Sequence, residues 1–167
     1  FKVLKDFNNY LGNAYLNFGE PVDLEKFLIE NVSKDFHIDS PFDKPDWLKP
    51  TTSLLGDTII RSVNNSVAVT STSLFAMGLL TDPTQTLKKE TLKNRISFYV
   101  DLIKNSESYK DVWLTEESAE EIIDRSEKLR FIKHQLIGSD EVYRPNASEV
   151  AALSFYKNNI SHIFMLY

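Results

Sequence analysis

Three histidines are the residues best suited to acid–base chemistry, because histidine is the side chain that ordinarily titrates near neutral pH. His37 lies near a proline-rich stretch, His134 precedes a predicted hairpin, and His162 falls in the last predicted helix. None belongs to a His-Glu-x-x-His pair, so the helix of a zinc hydrolase is not found in this sequence. A Gly-x-Ser-x-Gly nucleophile elbow and a glycine-rich phosphate loop ending in Lys-Ser/Thr are missing as well.

His162 is the histidine that admits two interpretations. It lies opposite the apolar stripe of the last predicted helix, with Asn158 one turn earlier and Phe155 and Met165 beside it. A helix that is apolar on two faces is usually buried on both. We therefore predict a core histidine that is hydrogen-bonded to a neighbour. The alternative is that Asn158 and His162 contact a second domain or the edge of a ligand.

Charged clusters offer a second kind of candidate site. Lys88, Lys89, Lys93 and Arg95 could attract an anionic headgroup or an acyl-carrier protein, although a solvated helix face is the more common explanation for such a cluster. The acidic pairs at 116–117 and 120–121 are interpreted as solvated, because charged residues are rarely buried unpaired.

Composition narrows the class of protein. The chain has 167 residues, 42% of them hydrophobic and 26% charged, which predicts an ordered core rather than a disordered segment. The net charge of −5 argues against a general nucleic-acid binder. No cysteine is present, which excludes disulfides, thiolate zinc sites and a cysteine nucleophile within this sequence. The first residue is Phe1 and not Met, so we expect a fragment of a longer protein.

The N-terminal third of the sequence alternates between turn signals and short apolar runs. Residues 14–18 are aromatic-rich and precede Gly19 and Pro21, which predicts a strand ending in a turn. Asp23 is suited to cap the helix that follows. The prolines between residues 41 and 50 predict an extended linker that Trp47 pins to a surface.

The central and C-terminal parts are predominantly helical in pattern. Residues 52–80 are predicted to be helical with a break at 64–65, and the charge-free stretch 62–81 is predicted to be a buried helix rather than a membrane span. Thr86, Thr115 and Asn146 are the predicted caps of three further helices. Between the last two of these helices, residues 135–143 predict a small β-hairpin around Gly138.

Four segments together resemble one family, the bacterial glycerol-3-phosphate acyltransferases. Residues 15–22 (Tyr-Leu-Asn-Phe-Gly-Glu-Pro-Val) resemble the last strand of the acyltransferase core, where a Tyr-x-Asn-Phe-Gly-Glu-Pro segment leads into a helix. Residues 44–51 (Lys-Pro-Asp-Trp-Leu-Lys-Pro-Thr) resemble the proline-tryptophan linker of the family. Residues 61–65 (Arg-Ser-Val-Asn-Asn) are similar to the Arg-Ile-Asn-Asn segment of the next helix. Residues 154–162 resemble the closing helix, which ends in Asn-Asn-Ile-x-His.

The resemblance implies an activity but supplies no catalytic residue here. The family transfers a fatty acyl group from acyl-CoA or acyl-carrier protein to the sn-1 hydroxyl of glycerol 3-phosphate, giving lysophosphatidic acid. Its signature is His-x4-Asp, in which the histidine takes the hydroxyl proton and the carboxylate fixes the tautomer. Five positions after the three histidines of this sequence stand Phe42, Ser139 and Tyr167. The phosphate-binding motifs of the family are likewise expected upstream of Phe1.

We therefore predict a mainly α fold. Residues 1–22 would be the end of an acyltransferase α/β core, with a short strand, and residues 23–167 a helical C-terminal domain with a small β-hairpin. The expected partners are an upstream acyltransferase domain in cis, acyl-CoA or acyl-carrier protein, glycerol 3-phosphate and a membrane surface, with no nucleic acid, no cofactor and no metal. The expected location is peripheral, on the cytoplasmic face of the inner membrane.

The alternative hypothesis is a non-catalytic helical interaction module. The positions that match the family motifs, without an assigned role, are Phe18, Gly19, Glu20, Pro21, Trp47, Asn158, Asn159 and His162.

Overall fold

The computed structural model describes residues 15–32, 42, 44–109 and 112–165. Within these ranges the chain is mainly α-helical, as predicted. It forms two compact units, one of residues 17–66 and one of the remainder. The α-helices are α1 (Leu24–Asn31), α2 (Leu48–Asn65), α3 (Ser71–Leu80), α4 (Lys89–Lys104), α5 (Ala119–Lys128) and α6 (Val150–Ser161).

Two small sheets accompany the helices. The strands are β1 (Ala68–Val69), β2 (Leu87–Lys88), β3 (Trp113–Leu114), β4 (Ile132–Ile137) and β5 (Asp140–Pro145). Strands β1 and β3 pair in parallel, and β2, β5 and β4 form an antiparallel sheet in that order. Short 3-10 turns occupy Glu107–Tyr109 and His162–Phe164.

The smaller unit contains α1 and α2. Helix α1 begins where predicted, because the Asp23 carboxylate accepts a hydrogen bond from the Lys26 amide at 3.1 Å and satisfies one of its free donors. Helix α2 ends at Asn65, at the predicted break. The predicted linker is shorter than expected, since Pro50 lies in the first turn of α2. Proline is tolerated there because the first amides of a helix have no intrahelical acceptor.

The larger unit is built around α3, the charge-free helix. Residues 73–79 of this helix are all buried, which confirms the predicted buried helix. Its two buried serine hydroxyls are hydrogen-bonded: Ser73 donates to the Thr70 carbonyl at 2.8 Å, and Ser71 shares a hydrogen bond of 3.0 Å with the distant Thr115. None of the helices in the described ranges combines the length and apolar character needed to cross a bilayer.

Three helices cover α3 with their apolar faces. Helix α4 approaches closely at Gly78, where an added Cβ atom would lie 3.2 Å from both Leu92 and Ile96. Glycine at this position therefore sets the distance between the two helix axes. The buried residues of the covering helices are Leu92, Ile96 and Ile103 of α4, Ile122, Ile123 and Ser126 of α5, and Leu153 and Ile160 of α6.

The predicted hairpin is present and is longer than the sequence suggested. Strands β4 and β5 pair along six residues each, from Ile132 opposite Pro145 to Ile137 opposite Asp140. Gly138 begins the two-residue turn with a φ of 65°, a left-handed conformation that glycine adopts without strain.

The short N-terminal strand is not formed in the described residues. Ala14 lies outside them, and residues 15–18 are not assigned to a strand. A strand needs a neighbour to satisfy its backbone groups, and the described part of the chain supplies none at this place. The predicted boundary after residue 22 concerns the acyltransferase core and stays a prediction.

The predicted helix caps at Thr86, Thr115 and Asn146 are wrong by several residues. Residues 87–88 pair with β5 before α4 begins, and Thr115 hydrogen-bonds Ser71 beside the β1–β3 pair instead of capping a helix. Helix α5 starts instead with a capping box, in which Ser118 and Glu121 satisfy each other's backbone amides. The Asn146 amide hydrogen-bonds the Phe131 carbonyl at 2.8 Å, which continues the hairpin ladder.

The last helix packs differently from the prediction. The apolar stripe predicted for this helix runs from Leu153 to Tyr167 at helical spacing, and its part up to Phe164 is predicted to pack on the helices around residues 96–103 and 122–129. Helix α6 packs mainly against α3, which lies at the centre of the unit. Phe164, in the turn after α6, does contact Tyr99 of α4, with ring centroids 4.8 Å apart. Leu153, Ile160 and Ile163 of the predicted stripe are buried, whereas Tyr156 is exposed and Tyr167 lies outside the described residues.

We expect Ile160→Ala to destabilise the chain by about 2–5 kcal/mol, because it deletes a fully buried aliphatic side chain and leaves a cavity against α3. Phe155→Ala on the exposed side of the same helix is the control and should change stability by about 0.5 kcal/mol or less. Urea unfolding followed by circular dichroism measures both. Equal losses at the two positions would contradict the described orientation of α6.

Candidate functional site

Two of the motif segments meet in the smaller unit. Gly19 lies against the C-terminal end of α2, where an added Cβ atom would be 2.5 Å from the hydroxyl oxygens of both Ser62 and Ser66. The Gly-Glu-Pro segment and the Arg-Ser-Val-Asn-Asn segment therefore touch, although more than forty residues separate them in the sequence. Only glycine permits this approach without displacing a side chain.

The remaining residues of the first motif are open to solvent. Phe18 is 82% exposed, and Glu20 and Pro21 are exposed as well. Trp47 and Leu48 are half-buried at the start of α2, in agreement with the predicted anchoring of the linker. The Thr51 amide donates to the Trp47 carbonyl at 3.1 Å, so the tryptophan backbone forms part of the first helical turn.

The C-terminal motif lies in the larger unit. Asn158 and Asn159 are exposed on α6, and His162 is half-buried where α6 passes into a 3-10 turn. The two interpretations of His162, a core histidine and a contact residue, both stay predictions.

The basic cluster is not a free anion-binding surface. Lys88 pairs with Asp140 at 2.6 Å. Lys89 and Lys93 share Glu120, at 3.9 Å and 3.5 Å. Arg95 donates a hydrogen bond to Asp82 at 2.9 Å. Two hydrogen bonds from Thr84, together with that of Arg95, lower the pKa of the Asp82 carboxyl. The four cations therefore hold α4 to its neighbours, and this arrangement favours the interpretation as a solvated face.

Glu117 and Arg125 form a partly buried ion pair beside Ser71, the first residue of α3. Partial burial raises the pKa of the Glu117 carboxyl, but hydrogen bonds from Arg125 and Ser71 and the charge of Arg125 outweigh it, so the pKa lies below its ordinary value of 4.5. Together with Glu121, Asp124, Lys128 and Leu129 the pair lines a surface groove of about 420 Å³. The acidic pairs at 116–117 and 120–121 were predicted to be solvated. The ion pair between Glu117 and Arg125, which are eight positions apart in the sequence, was not predicted.

His134 and Tyr143 are two titratable side chains that the hairpin brings together. His134 is exposed and stacks on Tyr143, with ring centroids 5.3 Å apart. Burial, followed by the charges of Glu127, Glu141 and Asp124, raises the pKa of Tyr143 to about 12, so the phenol stays protonated at neutral pH. No group of three histidine, aspartate or glutamate side chains that could hold a metal ion occurs in the residues described.

Comparison with known proteins identifies the same family as the sequence motifs. A family model described as the glycerol-3-phosphate acyltransferase C-terminal region matches residues 1–167. A glycerol-3-phosphate acyltransferase of Pseudoalteromonas translucida is 32% identical over 169 residues, which cover 98% of this chain and 20% of that protein. The enzyme of the same name from Alteromonas mediterranea is 32% identical over 170 residues, covering 99% of this chain and 20% of that protein.

A glycerol-3-phosphate acyltransferase of Shewanella amazonensis is 27% identical over 168 residues, covering 99% of this chain and 21% of that protein. The chain thus spans about a fifth of the length of the curated relatives that it matches. The family resemblance is confirmed.

The contact at Gly19 makes a prediction about stability. We expect Gly19→Ala to cost roughly 1–3 kcal/mol, because the new methyl group must displace both serine hydroxyls. Gly56→Ala in the middle of α2 is the matched control, since its added Cβ meets nothing within 4 Å. That change should stabilise the helix by roughly 0.5–1 kcal/mol. Chemical unfolding of the three proteins tests this.

A double Ser62→Ala, Ser66→Ala background should reduce the cost of Gly19→Ala, because the two oxygen atoms nearest to the new methyl group are removed. An unchanged cost in that background would show that the clash lies elsewhere.

The Glu117–Arg125 pair predicts a pH dependence. A carboxyl whose pKa is lower in the folded than in the unfolded chain stabilises the fold above pH 4.5 and loses that contribution as the pH falls through the folded value. The unfolding free energy of Glu117→Gln should therefore fall less on acidification below about pH 4.5 than that of the parent chain. The exposed neighbour Glu116→Gln should follow the parent. Identical acid dependence of all three would contradict the ion pair.

Proposed function

Since the chain belongs to the family of the glycerol-3-phosphate acyltransferase C-terminal region, we propose that it is the C-terminal part of a glycerol-3-phosphate 1-O-acyltransferase. The enzyme transfers a fatty acyl group from acyl-CoA or acyl-carrier protein to the sn-1 hydroxyl of glycerol 3-phosphate in phospholipid biosynthesis. The observation that carries the proposal is the match over all of residues 1–167. The order and spacing of the four motif segments support it independently.

The chemistry is assigned to a part of the enzyme outside this sequence. None of the three histidines is followed by aspartate at the fifth position, so the His-x4-Asp pair must come from the rest of the protein. Within the described residues His134 stacks on a phenol that is held protonated, and the lysines around α4 are engaged by carboxylates. This chain therefore completes and braces the enzyme without touching the reacting atoms.

The substrates and the location follow from the same proposal. The acyl donor, glycerol 3-phosphate and an upstream acyltransferase domain in cis are the partners of the whole enzyme. Its product carries one long acyl chain, which partitions into a bilayer through the apolar surface of its methylene groups. We place the enzyme peripherally on the cytoplasmic face of the inner membrane, where such a product can be used directly.

We expect the full-length protein to form lysophosphatidic acid from labelled glycerol 3-phosphate and acyl-CoA or acyl-carrier protein, and residues 1–167 alone to form none. Replacing the histidine of the His-x4-Asp segment by alanine in the full-length protein is the control and should abolish product formation. Thin-layer separation of the labelled product measures all three.

Two outcomes would contradict the proposal. Turnover by residues 1–167 that is lost in His134→Ala or His162→Ala would place catalysis in this chain. A full-length protein without acyltransferase activity, or without a His-x4-Asp segment, would favour the non-catalytic helical interaction module.

A further inference from the structure

The antiparallel sheet of β2, β5 and β4 has one face towards the core and one towards solvent. Leu87 of β2 lies opposite Tyr143 of β5, and both side chains belong to the buried core. Successive side chains of a strand point to opposite sides of a sheet, so the residues next to these two face away from the core. The outward face of the sheet is formed by Lys88, Lys133, Gln135, Ile137, Asp140, Val142 and Arg144.

Two cations stand directly opposite each other on this outward face. Lys133 of β4 pairs with Arg144 of β5, and both residues are exposed. The Cβ atoms of directly opposite residues are about 4.5–5.5 Å apart, and like charges at this distance destabilise the pair. The ion pairs of the described residues involve neither cation. In contrast to the four cations around the start of α4, this pair has no counter-charge among the described residues.

A third cation extends the pair across the sheet. Lys88 lies opposite Val142, which precedes Arg144 by two positions, so Lys88 and Arg144 are diagonal neighbours on the same face. Each of the three strands thus contributes one cation. Of the residues that form the outward face only Asp140 is acidic, and it pairs with Lys88 at 2.6 Å. The positive charge of the opposed pair therefore stays uncompensated.

The carboxylates near the hairpin act on the inward side. Burial, followed by the negative charges of Glu127, Glu141 and Asp124, raises the pKa of Tyr143, whose side chain points towards the core. Positive and negative residues are therefore separated onto the two sides of the same small sheet. In a chain with a net charge of −5, this separation gives one face a local positive potential that the whole molecule does not have.

Apolar side chains stand at the turn end of the same hairpin. Leu136 and Ile137, directly before the turn at Gly138, are 65% and 50% exposed, and Ile137 shares the outward face with the cations. A cationic face beside exposed aliphatic side chains combines the two properties that hold a protein at an anionic bilayer. These are attraction to charged headgroups and burial of apolar area at the interface. A small anion would leave the aliphatic side chains in water.

We propose that the outward face of the sheet, with Lys133 and Arg144 at its centre, is a surface by which the chain contacts an anionic lipid bilayer. The headgroup phosphates supply the missing counter-charge, since arginine binds phosphate oxygens in a bidentate way and lysine adds a point charge. Ile137 enters the boundary between headgroups and acyl chains. The proposal rests on the proposed function, because it gives the peripheral location of that enzyme a defined surface.

Reversing one charge of the opposed pair separates stability from lipid binding. Lys133→Glu places a carboxylate opposite Arg144 and so replaces a repulsive cross-strand pair by an attractive one. We therefore expect the full-length protein with this change to melt no earlier than the parent. Its affinity for vesicles of one third phosphatidylglycerol and two thirds phosphatidylcholine should fall by roughly fivefold or more, the factor that one cation contributes near an anionic surface. Arg144→Glu, the reciprocal change, should reproduce both results.

Lys104→Glu is the matched control. Lys104 is exposed at the end of α4 opposite to Lys88 and forms no ion pair with the described residues, so the change alters the net charge equally without touching the outward face. Its vesicle affinity should stay within about twofold of the parent, because charges beyond a Debye length from the surface are screened. Co-sedimentation over a series of lipid concentrations gives the apparent dissociation constants of all four proteins.

Four outcomes would overturn the proposal. Equal losses of vesicle affinity in Lys133→Glu and Lys104→Glu would show a response to net charge alone. Parental vesicle affinity in Lys133→Glu and Arg144→Glu would show that lipid binds elsewhere. Calorimetric binding of inorganic phosphate that Lys133→Glu removes, with no binding of the parent to vesicles, would assign the face to a small anion. Earlier melting of both charge reversals would contradict the repulsive pair from which the proposal is argued.

The proposed function has its own separate measurement. Vesicle binding is measured without substrate and does not depend on turnover. If the full-length protein transfers no acyl group to glycerol 3-phosphate, the proposed function fails, whereas the ratio of vesicle affinities still decides whether the outward face binds lipid.

Discussion

The larger unit depends on enclosing α3, a helix without any charged residue. Because residues 73–79 are buried all round, the helix has no solvent face and must be covered from every side by other elements. Helices α4, α5 and α6 each contribute one apolar side to that task. Gly78 allows α4 to come close, and the buried hydroxyls of Ser71 and Ser73 are hydrogen-bonded to Thr115 and to the Thr70 carbonyl. In the described part of the chain no buried side-chain nitrogen or oxygen is left without a partner.

The same constraint explains why the charged residues hold the covering helices in place and do not form a binding patch. A helix that covers a core keeps its polar side outward, and its lysines and arginines then meet the carboxylates of neighbouring elements. Glu120 on α5 forms ion pairs with two lysines of α4, and Asp82 after α3 accepts a hydrogen bond from Arg95. Exposed pairs of this kind contribute little to stability individually. They nevertheless give each of these four cations a carboxylate neighbour, which favours the interpretation as a solvated helix face.

Elements whose signals are local could be predicted from the sequence, whereas those that depend on tertiary contacts could not. Asp23 as a cap, the break at Asn65 and the turn at Gly138 follow from side-chain chemistry within a few residues. Thr115 carries the signal of a cap equally well, but its hydroxyl group bonds Ser71, forty-four positions away, and no local rule reveals that choice. The contact of Gly19 with α2 is of the same kind: the motif is visible in the sequence, while its partner appears only in the fold.

The two units differ in how many of their described side chains are buried in a core. The larger unit has a closed core, with side chains such as Phe75, Ile96 and Ile123 fully buried. The described residues of the smaller unit form two helices, bury only Val32 and Thr51, and leave Ile59, Ile60 and Val63 of α2 exposed. A region that gains stability only when another surface covers it responds to the presence of that surface.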